Sequence, residues 1–380
     1  MPQSVYIHIP FCTNKCYYCD FNSFVTSNPQ VIEDYLDTLD KEMERTFALW
    51  PPEKIKTIFV GGGTPTFLDR RQMQVFLEAV RKHTERFWAD DLEFTMEANP
   101  GTTDVEKLRL MRELGVNRLS FGVQSFDNAL LKRLGRIHDV DDVYRSIDNA
   151  VTVGFTNLTI DLMFGLPDQT EEIFRRTLEL AFELPTTHFS AYSLKVEENT
   201  LFHTLYQKDQ LPLPSEEAEL AMYLMLIEEM EAHGYRQYEI SNFAKPGYES
   251  RHNCTYWLND EYYGLGAGAH GYVNGERHVN AGPLAVYMRM GQEGLPRVEQ
   301  FAVSREDAME EQMILGLRLR DGVNLARFAE RFGVTAEQVF GPVIDEEMAK
   351  GMLERVDGHL RLTKQALPLG NEVFARFLRD

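Results

Sequence analysis

Residues 1–21 read MPQSVYIHIPFCTNKCYYCDF, a short β-branched and apolar run at 5–9 followed at once by Cys12, Cys16 and Cys19. Only one other cysteine, Cys254, exists in the chain. Three thiols this close are too tight for an ordinary disulfide framework, and any pairing leaves one over. A strand that runs directly into chemistry is the arrangement of parallel α/β proteins, whose working face is the carboxyl end of the strands. The fold is decided by whether later strands end the same way.

They do. From residue 4 to about residue 194 short strand-like runs alternate with stretches of helical period, the pattern of repeated βα units. The first helix is expected to start at Asn28-Pro29, with Asn as cap and Pro at the first helical position, and to carry Val31, Ile32, Tyr35, Leu36, Leu39, Met43 and Phe47 on one face. IKTIFVGG precedes a helix opened by Asp69, and LEFTMEANP precedes one for which Thr103 and Glu106 suggest a capping box. NRLSFGVQS leads to a helix expected over 126–134, NLTIDLMFGLP to one over 169–184, and HFSAYSL follows. The strand ends collect the cysteine loop, GGGTPT, Glu97, Gln124 and Asp161, which predicts one shared pocket.

After residue 194 the alternation stops. An irregular stretch leads to a helix over 215–233, then to YRQYEISNFAKPGYESRHNCTYW. From residue 304 three helices precede LERVDGHLRLT, two strands turning at Asp357-Gly358 and suggesting a winged-helix-like module. The expected division is a core over 1–235, a connecting region over 236–300 and a C-terminal domain over 301–380.

Composition narrows the function. The 380 residues are 43% hydrophobic and 26% charged, ordinary globular values without low-complexity tracts. The start has no basic segment before an apolar one, no uncharged apolar run is long enough to span a bilayer, and four cysteines suit a reducing compartment, so a cytoplasmic protein is expected. A position at the inner face of the membrane, and a homodimer, are compatible with that reading. A net charge of −20 disfavours phosphate backbones, so nucleic acid is not expected as substrate or partner, even for the winged-helix-like end.

C-x3-C-x2-C in one loop can wrap a [4Fe–4S] cluster while leaving one iron open to bind a small molecule. Phe11, Tyr17 and Tyr18 would shield it from water. A zinc site is the alternative, and it asks for a fourth Cys or His nearby. Here the residues carry a resemblance: YIHIPFCTNKCYYCDF, GGGTPT, the strand-end Glu97 and IDLMFGLP closely resemble the radical S-adenosylmethionine (SAM) superfamily, and within it the oxygen-independent coproporphyrinogen dehydrogenase branch, over essentially the whole chain. The resemblance implies an incomplete (β/α) barrel, a [4Fe–4S] cluster on Cys12, Cys16 and Cys19, and SAM held on the open iron. It also implies SAM contacts from Tyr6, Tyr18, Gly62, Gly63, Thr64, Glu97, Gln124, Arg136 and Asp161. Gly61, Gly62 and Gly63 are expected to let the backbone approach the ligand closely.

Two functions compete within that branch. The dehydrogenases continue C-x3-C-x2-C-x-C, whereas Asp20 and Phe21 follow Cys19 here, and the run into the first strand leads us to expect no dehydrogenase-type N-terminal lid. HNCTYW, residues 252–257, resembles the HNxxYW motif of the branch's haem chaperones. That resemblance implies haem as cargo, His252 as its iron ligand on a partly accessible segment, and haem-dependent membrane proteins such as respiratory enzymes as acceptors. Cys254 and His270 are the competing ligands, and oxidative decarboxylation of coproporphyrinogen III is the alternative activity. Whether the chain is an enzyme at all is open at this point.

Overall fold

In the computed structural model residues 1–379 are described. Strands β1 (Ser4–Ile9), β2 (Ile55–Gly62), β3 (Trp88–Ala98), β4 (Arg118–Gln124), β5 (Asn157–Phe164) and β6 (His188–Ser193) are parallel neighbours in that order. Register is set from the first pair, with Ser4 opposite Thr57 and Ile9 opposite Gly62. Strand β4 is buried at every position, as a strand covered on both faces must be. The sheet curls, because one cavity of about 220 Å³ is lined by Tyr6, Phe59, Glu97, Arg118, Asp161 and Tyr192, one from each of these strands. A flat sheet could not bring the first and sixth strands to one cavity. The strand order is open, so the barrel is partial.

Helices cover the outer face. Helix α1 (Pro29–Leu49) starts where expected, the Asn28 side chain accepting from the Gln30 N–H, and buries Ile32, Tyr35, Leu36, Leu39, Met43 and Phe47. Asp69 and Gln72 form a full capping box on α2 (Arg70–Thr84). The box expected from Thr103 and Glu106 does not form: α3 (Val105–Glu113) begins one residue later, with the Asp104 carboxylate accepting from the Lys107 N–H, while the Thr103 hydroxyl is buried without a partner. A carboxylate at the positive end of a helix also gains from the helix dipole, which a hydroxyl does not. Helix α4 (Asn128–Arg133) is shorter than expected because Asp127 caps it, and α5 (Val140–Val153), which the strand-end reading passed over, ends at Gly154 with φ 93°. Helix α6 (Glu171–Phe182) starts at Thr170 because Gln169 is used in the preceding turn, its side chain accepting from the Leu166 N–H.

Helices α7 (Leu201–Tyr206) and α8 (Glu216–Ala232) lead into the segment expected to be a separate connecting region. It instead extends the sheet. Strands β7 (Arg236–Glu239) and β8 (Asn242–Ala244) add antiparallel beside β6, and β9 (Tyr263–Leu265) pairs parallel with β1. Between β8 and β9 lies α9 (Arg251–Trp257). The C-terminal part has helices at Arg305–Gly316, Leu325–Phe332 and Ala336–Ala349 and a three-stranded sheet, with its own apolar core. Its hairpin turns at Asp357-Gly358 with φ 48° and 80°, the doubly positive geometry that Asp-Gly favours.

The cap assignment is directly testable. Asp104→Ala should cost about 1 kcal/mol in urea unfolding, whereas Thr103→Ala should cost less than half of that, since it deletes a hydroxyl that holds no bond.

Candidate cofactor site

The cysteine loop is pinned at several points to the carboxyl end of the sheet. Tyr17 N–H donates to Leu134 O at 3.0 Å, Cys19 N–H to Cys16 O at 3.2 Å, and the Asn14 amide to Gly135 O at 2.9 Å. Gly135, with φ 74°, leaves room for the Tyr17 ring, which would lie 2.9 Å from a Cβ there. Cys12 Sγ is 3.6 Å from Thr64 Oγ1, and Arg136 Nη1 donates to Cys16 Sγ at 3.5 Å. Cys12, Cys16 and Cys19 line one cavity of about 340 Å³. Three thiols around one cavity would suit a cluster in which each of three irons takes one thiolate. Burial pushes the Cys12 thiol up and Cys19 up to about 11, so metal binding near neutral pH must release protons.

Of the residues expected at the SAM site, Tyr18, Gly62, Gly63, Thr64, Glu97, Gln124, Arg136 and Asp161 line the same cavity as the cysteines. Tyr6 does not. It faces the smaller chamber below, with its hydroxyl 2.9 Å from His8 Nδ1. Gln124 holds φ 69°, a left-handed conformation costly for glutamine, at a break in the β4–β5 register. Asn99, which the sequence reading missed, ties the wall together. Its amide donates to Thr64 Oγ1 at 2.7 Å and its Oδ1 accepts from Arg136 Nη2 at 2.6 Å, while the same guanidinium also donates to Gly122 O. The signal was available in the NP pair that ends β3.

The glycines also make room for neighbouring parts of the protein. A Cβ on Gly61 would lie 2.8 Å from the Glu97 carboxyl, one on Gly63 2.7 Å from Phe11 O, and one on Gly62 would fall on the His8 ring. The space their missing side chains leave is filled by protein. Gly62 also has φ 113°, where other residues are strained. Backbone of Gly62 and Gly63 still reaches the cavity wall, but substituting Gly62 would disturb the sheet end before it met a ligand.

Two carboxyls define the electrostatics. Burial, helped by the charge of Asp161, pushes Glu97 up to about 8, although the Gly62 N–H donates to its Oε2 at 3.1 Å. Burial pushes Asp161 up to about 6, against the pull of hydrogen bonds from Ser190 and Ser120. Both face the upper and lower chambers. An enclosed pair of acids held back from ionising is a site that a cation completes, and the ammonium and sulfonium of SAM are cations. Below them Arg118 is buried with Nη2 donating to Thr159 Oγ1 at 2.7 Å and Nε unpartnered.

The segment is half-buried along α9, but the His252 side chain itself is buried. It has no exposed surface, its Nδ1 is 2.8 Å from Thr57 Oγ1, its Nε2 is 2.8 Å from the Tyr256 hydroxyl, and its ring lies over Phe59 at 5.2 Å. Burial lowers its pKa to about 3. Helix α9 therefore closes the bottom of the barrel, with neither imidazole nitrogen turned to solvent. Cys254 is half-buried and pushed up to about 12 by burial, and His270 is exposed at the start of a strand beyond β9.

A parallel sheet curled around a cavity, with a three-thiol loop pinned to its carboxyl end, is the arrangement of the radical SAM class, and the model of the radical SAM superfamily matches residues 6–181. The HemN C-terminal domain model matches residues 303–369. Among curated relatives, "Heme chaperone HemW" of Bacillus subtilis is 46% identical over 100% of both chains, and that of Escherichia coli is 36% identical over 100% of this chain and 99% of its own. The chain belongs to the HemW family. The solved coproporphyrinogen III oxidase HemN of Escherichia coli superimposes with a TM-score of 0.87 at 24% identity, covering 99% of this chain and 90% of that one, which shows the shared fold.

The acid pair predicts opposite effects on stability and binding. Between its usual 4.5 and about 8, Glu97 keeps in the folded state a proton that the unfolded chain has lost, so metal-free stability falls as pH rises through that window. Glu97→Gln removes this penalty: its melting temperature relative to wild type should be higher at pH 8 than at pH 5. The same variant should bind SAM roughly tenfold or more weakly, about 1.4 kcal/mol or more by calorimetry. His252→Ala should destabilise the whole domain by about 2–4 kcal/mol in urea unfolding, since it empties a filled buried site and orphans two hydroxyls.

Proposed function

We propose that the chain is a haem chaperone that keeps a [4Fe–4S] and SAM-binding core, receives haem and delivers it to haem-dependent membrane proteins. The observation that carries this reading is end-to-end similarity to chaperones of that name at up to 46% identity. Cys12, Cys16 and Cys19 would hold the cluster, which when bound supplies an open iron for the amino and carboxylate groups of SAM. Around it the chain's own residues have definable work. Arg136 places positive charge beside Cys16, and Asn99 keeps that guanidinium from swinging into the cavity. Glu97 and Asp161 give up protons to match a cationic ligand, and the recessed position of both carboxyls keeps water from screening the match. Phe11, fully buried, and Tyr18 wall the loop from solvent.

No helix among the described residues is long and apolar enough to cross a membrane, so delivery to membrane proteins would take place by docking at the surface. Decarboxylation of coproporphyrinogen III is the competing activity. Phe21 stands where the dehydrogenase motif places its additional cysteine, and this favours the carrier reading.

Anaerobically prepared protein should carry one cluster per chain, and joint replacement of Cys12, Cys16 and Cys19 by Ala should abolish its iron and sulfide. Haem titration should give a stoichiometric Soret band and transfer to a haem-free acceptor, with no conversion of coproporphyrinogen III under reducing conditions with SAM. Turnover to protoporphyrinogen IX at about 1 per second would replace this reading by the dehydrogenase.

A further inference from the structure

The C-terminal part meets the main sheet along β7, the strand at the sheet's edge. Residues 318–320, just past the helix Arg305–Gly316, lie against it: Leu319 bridges Glu239 in antiparallel sense, and Arg320 N–H donates to Tyr238 O at 2.9 Å. The two apolar cores share Tyr223 and Ile227 of α8 beside this contact. The joint leaves a groove of about 530 Å³, with α8 and β7 on one side and the C-terminal hairpin on the other.

Four cations line the groove: Arg236 from the sheet, Arg320 from the joint, Arg361 from the hairpin and Lys364 just after it. In a chain with a net charge of −20 such a concentration is unexpected. Two of the four are matched, Arg236 Nη2 lying 2.9 Å from Asp321 Oδ1 and Arg361 Nε 2.8 Å from Glu354 Oε1. The other two are not. Neither the Arg320 nor the Lys364 side chain enters an ion pair or a hydrogen bond among the described residues, and Arg320 Nη1 is buried without a partner. Burial lowers the Arg320 pKa, and the charge of Arg361 lowers it further. An unsatisfied guanidinium beside a second one is costly, and an anion between them removes the cost.

The rest of the lining limits what the anion can be attached to. Leu224, half exposed, Ile227 and Leu367 add apolar surface. Glu228 and Glu231 on the α8 wall are exposed and pair with none of the four cations, so they leave no room on that side for a second anionic group.

We propose that this groove binds the phosphate group of a small phosphate monoester, held by Arg320 and Lys364 at the joint between the sheet edge and the C-terminal hairpin. Two cations in excess call for a dianion, and a planar guanidinium can take two phosphate oxygens at once. The apolar surface would carry the ester's body. Anionic lipid offers the same phosphate group, but a bilayer of like charge repels a chain this acidic.

The test is calorimetric titration of the cluster-loaded full chain with inorganic phosphate, phenyl phosphate and succinate at constant ionic strength, alongside sedimentation with phosphatidylglycerol vesicles. Wild type should bind both phosphates one to one, succinate more weakly, and the vesicles not at all. Arg320→Gln and Lys364→Gln should each lose about tenfold in phosphate affinity, while Lys54→Gln, an exposed cation outside the groove, stays at the wild-type value. Lys364 is exposed, so its variant decides the matter even where Arg320→Gln fails to fold. Hydrogen exchange at 236–239 and 318–320 should slow on adding phosphate to wild type and not to Lys364→Gln. No phosphate binding by wild type, wild-type affinity in Lys364→Gln, an equal loss in Lys54→Gln, or succinate bound as tightly as phosphate would each overturn the site. Exclusion of phenyl phosphate, or vesicle binding that Lys364→Gln abolishes, would overturn the soluble monoester as its ligand.

Discussion

Three consecutive glycines at the end of β2 let three other parts of the protein into the space that side chains would fill: the Glu97 carboxyl at Gly61, the His8 ring at Gly62 and the Phe11 backbone at Gly63. The rest of the site depends on this packing. It fixes β1 and its outgoing loop against β2, it fixes the carboxyl of β3, and so it determines where the three thiols stand relative to the acids. The hydrogen bond from Gly62 N–H to Glu97 and the contact of Thr64 with Cys12 and Asn99 then extend the same joint to Arg136 on the far wall. Close packing of this kind leaves little slack, and a single added methyl group would be felt at both the acid and the cysteine loop.

The electrostatic consequence is a site at odds with itself until a ligand arrives. Burying two carboxyls near one another is unfavourable, and Arg118, although close enough to lower Asp161, makes no ion pair with either among the described residues. The folded protein keeps this arrangement because the sheet's core supplies ample stability elsewhere, with both faces of β4 and the stripe of α1 fully covered. Binding a cation converts the penalty into affinity, which is the usual sense in which a functional site is locally destabilising.

Much of this was legible in the sequence. Strand-end chemistry at the cysteine loop, GGG, Glu97, Gln124 and Asp161 needs only period and position to be read, and eight of the nine residues named for SAM line the cysteine cavity. What could not be read was who occupies a gap. Glycine spacing tells that side chains are missing at 61–63, not that His8 and Phe11 use the room. HNCTYW names an imidazole and two aromatics, but its place at the closed end of the barrel follows from β9 returning to pair with β1, a contact across the whole core that no local pattern encodes. Thr103 and Asp104 are adjacent cap candidates, and only the helix start itself separates them.

That same return of β9 sets an order of events. Strand β1 lies between β2 and β9, and Asn22, just past the thiols, donates to Ala267 O and Gly282 O. During synthesis the cysteine loop emerges first, but its second flank is made roughly 250 residues later, about 10–50 s at ordinary elongation rates. Until then one edge of β1 is unpaired and the loop has only part of its anchorage. A nascent chain thus offers three thiols on an unfinished support, and the socket they line is complete only after most of the polypeptide has left the ribosome.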